Sequence, residues 1–277
     1  MYIRALFIST ALVLSSPTLV TAGDDFDGFK QKQINLPKSY KKLKGVEGID
    51  AKYVHSFSIY GGECRSAKYT DNSGKSDCDH GSVRSELREK KSGKSFYSAF
   101  PQPTPVWYGF DILIPKSYPT LGQQKSAFNI FAQWKSENCP HTAVAHWTRP
   151  GHENALFLVT YKSVVGSKNH ECDVVATKKI ASMPSIKGKW TRVEMFVNWS
   201  EGRDGVFDVY INGAKKLSHR GPNLDPNNIN EAGKRSNKNY FSFGTYLANS
   251  RGSGMIRSGT VYYANVHRSK KRVDLFR

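Results

Sequence analysis

Beyond residue 22 the chain has no long segment of helical period; its apolar residues come in short runs cut by Gly, Pro, Asn, Asp and Lys. The runs are VWYGFDILIP (106–115), SAFNIFAQW (126–134), TAVAHWT (142–148), ALFLVTY (155–161), WTRVEMFVNW (190–199), GVFDVYING (205–213), NYFSFGTYL (239–247) and GTVYYANVH (259–267). Short runs of β-branched and aromatic residues between turn residues predict an all-β sandwich or barrel. Arg149-Pro150-Gly151 and Asn212-Gly213 supply the turn chemistry such a fold needs. Helix is expected only in short pieces, around residues 227–236. A hydrophobic content of 38% and an aromatic content of 12% provide one substantial core and exclude general disorder. With no linker and no repeat in view, one domain over residues 23–277 is expected.

Residues 1–22 read differently. Arg4 gives a positive start, ALFISTALVLSSPTLV an apolar stretch, and Val20-Thr21-Ala22 a small-residue cleavage site. The stretch is short for a membrane span and is interrupted by Ser15, Ser16 and Pro17. A cleaved signal peptide over 1–22 is expected, and with it a secreted or periplasmic protein.

Arg4 is the leader's only formal charge, so residues 23–277 keep +17 of the +18. A charge of this size predicts a polyanionic partner, through long-range attraction and counterion release. For an exported chain the partners at hand are uronic-acid polysaccharides, sulfated glycans and anionic envelopes, and nucleic acid is not expected. Four cysteines, Cys64, Cys78, Cys139 and Cys172, imply two disulfides in an oxidising compartment. Three connectivities are possible. Nearest-neighbour pairing is expected, because Cys64–Cys78 would staple one polar excursion and Cys139–Cys172 would tie the ends of a strand pair. Without CxxC or HxxxH spacing no metal site is expected.

Strand alternation assigns side chains to faces. In Val83 through Arg88, Arg84, Glu86 and Arg88 face one way and Val83, Ser85 and Leu87 the other, toward the core. Gln133 and Lys135 share a face, and so do Tyr240, Ser242, Gly244 and Tyr246, with Phe241 and Phe243 inward. On adjoining strands these faces would form a cationic, hydrogen-bonding groove.

At these residues the chain resembles a known group. Arg84-Ser85-Glu86-Leu87-Arg88 is similar to the RSELR-type strand of β-jelly-roll polysaccharide lyases, and Ile130-Phe131-Ala132-Gln133-Trp134 to their next groove strand. Gly188-Lys189-Trp190, Asn198-Trp199-Ser200 and residues 205–213 resemble the core sheet of the heparin lyase I and glucuronan lyase group. Tyr240 through Tyr246 resembles the strand that supplies the catalytic Tyr, and Val261-Tyr262-Tyr263-Ala264-Asn265 the closing strand. The resemblance runs in family order over residues 80–267. It implies a jelly-roll sandwich of two antiparallel sheets whose concave groove takes an acidic polysaccharide and cleaves it by β-elimination, leaving 4,5-unsaturated uronate ends.

That chemistry needs a base at the uronate C5 and groups that stabilise charge growing on its carboxylate. The resemblance implies Gln133 and Arg84 at the carboxylate and Tyr246 as acid, base or both. Arg88, Glu86 and Lys135 would bind neighbouring sugars, with Arg251 close by. Lys135 stands where relatives commonly carry His. His146, His80 or Tyr246 alone are the candidates to replace that base. The charge leans toward a heparin-like polymer; glucuronan and alginate stay open. The rival reading is an acidic-glycan-binding protein on the same fold. A glycoside hydrolase would need paired carboxylates on one strand face, and none is present. No cofactor is required by this reading, no contiguous acidic loop points to calcium, and a monomer is expected.

Overall fold

In a computed structural model of the chain, the structure describes residues 29–34, 37–60, 77, 81–89, 91–92, 95–96, 105–119, 128–135, 139–147, 154–164, 172–225, 227, 239–248 and 258–276. They build two seven-stranded antiparallel sheets packed face to face, a jelly-roll sandwich, with strands numbered in chain order. The first sheet runs β1 (Phe29–Ile34), β4 (Ser82–Glu89), β15 (Tyr240–Ala248), β8 (Phe128–Lys135), β9 (Pro140–Trp147), β10 (Ala155–Ser163) and β11 (Cys172–Ser182). The second runs β14 (Ala214–Arg220), β13 (Val206–Ile211), β12 (Trp190–Asn198), β7 (Val106–Leu113), β16 (Gly259–Ser269), β3 (Val54–Ile59) and β2 (Tyr40–Leu43). A minimal hairpin pairs β5 (Lys91–Ser92) with β6 (Ser95–Phe96). The one described α-helix is the single turn α1 (Met183–Ile186), opened by Pro184 in its first turn, where a missing N–H costs nothing. Of the segment expected to turn helical, residues 227–236, all but Asn227 lie outside the described residues.

Each of the eight runs read from the sequence contains a strand. Their inward residues meet between the sheets, where Phe57, Tyr108, Trp134, Phe207, Phe241 and Phe243 are fully buried. Trp134 stacks on Phe241 with ring centres 4.8 Å apart and meets Phe207 edge-on at 5.1 Å, the offset and edge geometries aromatic rings favour. Cys139, just before β9, is disulfide-bonded to Cys172, the first residue of β11, so the bridge spans the β9–β10 hairpin and holds the edge strand. Cys64 and Cys78 lie outside the described residues.

β8 and β15 do not pair regularly. The register slips between Phe243 and Tyr246 against β8, and between Ile130 and Ala132 against β9, leaving Phe131 as an extra residue. Such bulges bend a strand and re-aim its side chains. Here Ile130 and Gln133, three residues apart, come to lie on the same face.

Candidate active site

Three neighbouring strands of the first sheet, β4, β15 and β8, bring most of the expected residues together on the sheet's outer face. Tyr246 stands opposite Arg84, Gly244 opposite Glu86 and Ser242 opposite Arg88 across one ladder. Across the other, Ser242 faces Gln133 and Tyr240 faces Lys135. Val83, Leu87, Phe241 and Phe243 point the other way, into the core. Gly244 makes the close strand approach possible: at φ +142°, a Cβ there would lie 2.2 Å from the Ser85 carbonyl oxygen.

The polar groups of this face hold one another. Arg84 donates from Nε and one terminal nitrogen to both oxygens of Asp77, at 2.7 and 2.8 Å. Its other terminal nitrogen lies 3.5 Å from Glu86, and its guanidinium covers the Tyr246 ring at 4.2 Å. Glu86 is fully buried and accepts a hydrogen bond from the Gln133 amide at 2.7 Å. Burial pushes the Glu86 carboxyl above its usual range, against the pull of Arg84, Gln133 and Lys135. The Tyr246 phenol is likewise raised by burial, with Arg84 opposing. Arg88 lies over the Tyr240 ring at 5.4 Å.

His146 is not on this face. β9 does pair beside β8, but His146 stands opposite Asn129, whose side chain bonds Tyr118 and Thr245 between the sheets. The alternation agrees: Val144 belongs to the central core, while Ala143 and Ala145 join Ile130 and Tyr246 on the groove side. His146 is 1% exposed, and burial and Lys187 lower its pKa to about 4, so it stays neutral at physiological pH. His80 and Arg251 lie outside the described residues.

Two participants had no signal in the sequence. Asp77 comes from the segment before β4, where no periodicity marks it. Tyr263, on β16 of the opposite sheet, reads only as an inward core residue. Its hydroxyl crosses the core to lie 2.7 Å from the Phe131 carbonyl and 2.8 Å from that of Gly244, the groups displaced by the β8–β15 bulge. A buried carbonyl without a partner costs about 1–3 kcal/mol, so this one proton, shared between two acceptors, fixes the bend beneath Tyr246.

A three-strand face of Arg, Gln and Tyr, backed by two carboxylates, is suited to acid–base work on an anionic substrate. The family model described as "Polysaccharide lyase" matches residues 25–267. The chain belongs to that family. The lyase also shares its fold with the endo-β-1,4-glucuronan lyase of the fungus Trichoderma reesei, at 16% identity, TM-score 0.58, and coverage of 90% of this chain and 94% of that one. The alginate lyase A1-II′, a member of polysaccharide lyase family 7, is similar at 15% identity and TM-score 0.56, covering 90% and 97% of the two chains. No curated protein matches the sequence of this lyase. It is an enzyme acting on polysaccharide, and the reading of the groove as a site of binding without turnover is set aside. Among its described residues no group of three His, Cys, Asp or Glu could hold a metal ion, and no helix is long and apolar enough to cross a membrane.

Proposed function

We propose that this lyase cleaves a polyuronate, glucuronan first, by β-elimination, with Tyr246 as both base and acid. The observation that carries the reading is the convergence of Arg84, Gln133 and Tyr246 on one face of three adjacent strands. The Tyr246 phenolate removes the C5 proton. The electron pair moves into a C4–C5 double bond as the C4–O4 bond breaks, and the phenol returns its proton to O4. Gln133, with one amide N–H held by Glu86, offers the other to the uronate carboxylate. Arg84 supplies positive field to the phenolate and to the enolate-like charge, in a site dry enough for that field to count. Glu86 then orients Gln133 rather than touching sugar, while Arg88 and Lys135 meet neighbouring carboxylates.

An unsulfated polyuronate is preferred over a heparin-like chain because Asp77 and Glu86 already compensate Arg84. The names of the two structural relatives, a glucuronan lyase and an alginate lyase, point the same way. Residues 1–22 are removed on export, the Cys139–Cys172 disulfide fits an oxidising compartment, and residues 23–277 act as one monomeric domain.

The pH dependence tests the assignment of the base. Because burial raises the Tyr246 phenol above 10.0, its ionised fraction is small at neutrality and grows tenfold per pH unit. Log kcat is expected to climb with a slope of about +1 between about pH 7 and 9. A plateau from about pH 7 would instead assign the base to an imidazole, with His80 the first to test. Tyr263 is a positioning residue in this scheme. Tyr263→Phe is expected to cut kcat about tenfold with KM unchanged, in a protein whose bulge has lost its pin. A parallel rise in KM would mean general loosening of the groove.

A further inference from the structure

The groove does not account for the charge of the molecule. Its best-placed cation, Arg84, is closed by Asp77 and Glu86. The outer face of the second sheet is similar: Arg192 pairs with Asp111, Lys215 and Arg220 with Asp208, and Arg272 with Glu194. Among the described residues, one ring gathers three cations and none of the three has a carboxylate partner. The Lys42, Lys44 and Lys52 ammonium groups lie 3.6, 5.7 and 5.4 Å from the centre of a single ring, that of Tyr53. All three lysines are exposed, and among the described residues none makes an ion pair. Cation–π attraction at an exposed ring is worth about 0.5–1 kcal/mol per cation and does nothing for the mutual repulsion of three positive charges. An anion seated among them would remove that repulsion.

The cluster sits toward one end of the groove. The backbone of Ser39, the residue before β2, accepts a hydrogen bond from the Ser85 hydroxyl on β4, so the edge of the second sheet lies against the strand carrying Arg84 and Arg88. Asn265 on β16 bonds the Asp50 carbonyl in the segment leading to Lys52. Three residues further along β16, Arg268 pairs with Glu89 at the end of β4. The lysines are therefore toward the Arg88 end of the groove strand, on the edge of the second sheet, while β1 pairs along the flank of β4 itself.

We propose that Lys42, Lys44 and Lys52, gathered on Tyr53, form a second anion-binding site that holds carboxylates of the polyuronate chain where it leaves the groove beside Arg88. The site rests on the polyuronate reading above. It takes a repeating carboxylate polymer and touches no reacting atom. Its effect is avidity: a long chain engaged at both places is retained, and a chain too short to span them gains nothing.

The test compares the triple variant Lys42→Gln/Lys44→Gln/Lys52→Gln with a charge-matched control, Lys116→Gln/Lys189→Gln/Lys216→Gln, whose lysines are exposed elsewhere. Rates are measured on glucuronan polymer and on oligoglucuronates of about four to six sugars, across a salt series. For the triple variant, KM on polymer is expected to rise about tenfold with KM on oligomer unchanged, and the slope of log KM against log salt to fall by about two to three. The control should keep the wild-type polymer KM. Unchanged polymer KM, an equal rise on oligomer, or the same change in the control overturns the site. Should the wild-type protein leave glucuronan uncleaved, the polyuronate reading fails on its own. Elution from a heparin column then decides: lower salt for the triple variant than for the control supports the anion site, and equal salt overturns it.

Discussion

Tyr246→Phe is expected to give a folded protein that binds glucuronan as the wild type does and turns it over about 10³- to 10⁴-fold more slowly. The substitution keeps the ring that Arg84 covers at 4.2 Å and that meets Phe128 edge-on at 6.1 Å, so packing on both sides survives. Only the hydroxyl goes. A single proton-transfer group contributes about 10²- to 10⁴-fold, and one that both takes and returns the proton belongs at the upper end. Initial rates from product absorbance, together with affinity for the polymer, check this. Residual turnover within about tenfold of wild type would remove Tyr246 from the proton path.

Arg84→Met is expected to have the second-largest effect, on two measurable quantities with different causes. Turnover should fall about 10²- to 10³-fold, because the phenolate and the enolate-like charge lose their nearby cation. Stability should also fall, by about 3–5 kcal/mol, since Asp77 and a fully buried Glu86 are left without their partner. The double variant Arg84→Met/Glu86→Gln separates the two effects. Removing the orphaned carboxylate charge should restore part of the lost melting temperature while leaving turnover low. Recovery of both together would make Arg84 a structural ion-pair partner with no direct part in the chemistry.

Much of this site could be read from alternation alone. Val83 through Arg88 and Tyr240 through Tyr246 obey a period of two without interruption, so the faces of Arg84, Glu86, Arg88 and Tyr246 followed once the segments were taken as strands. The same rule applied to TAVAHWT puts His146 on the side of Val144, away from the groove. Adjacency of β9 to β8 made it look available, and register decided otherwise. β8 is where alternation fails, since its extra residue Phe131 shifts the parity between Ile130 and Gln133. A bulge of this kind is set by contacts from other strands, here the Tyr263 hydroxyl, and leaves no local mark.

The strands missed in the sequence are mostly at sheet edges. β11 carries Asp173, Thr177, Lys178 and Lys179, and β14 carries Lys215, Lys216 and Arg220. Both edges are largely solvated, and charges there discourage pairing with another chain while blurring the apolar pattern. Asp77 was hidden for another reason. A carboxylate that clamps an arginine from outside any regular element has no periodicity to reveal it. The role of Glu86 turned on burial: strand alternation placed it on the groove face, and only the packed structure puts it beneath Gln133 with its carboxyl shielded from solvent.

Elimination across C4–C5 of a uronate would leave an unsaturated product, and its ultraviolet absorbance reports that reaction as it proceeds. Purified residues 23–277 would be mixed in parallel with glucuronan, alginate, heparin, heparan sulfate and hyaluronan, with Tyr246→Phe alongside. Absorbance should rise with time, fastest on glucuronan, and the rise should be absent from the variant. A flat trace on all five polymers, or a rise that Tyr246→Phe leaves intact, would contradict the account.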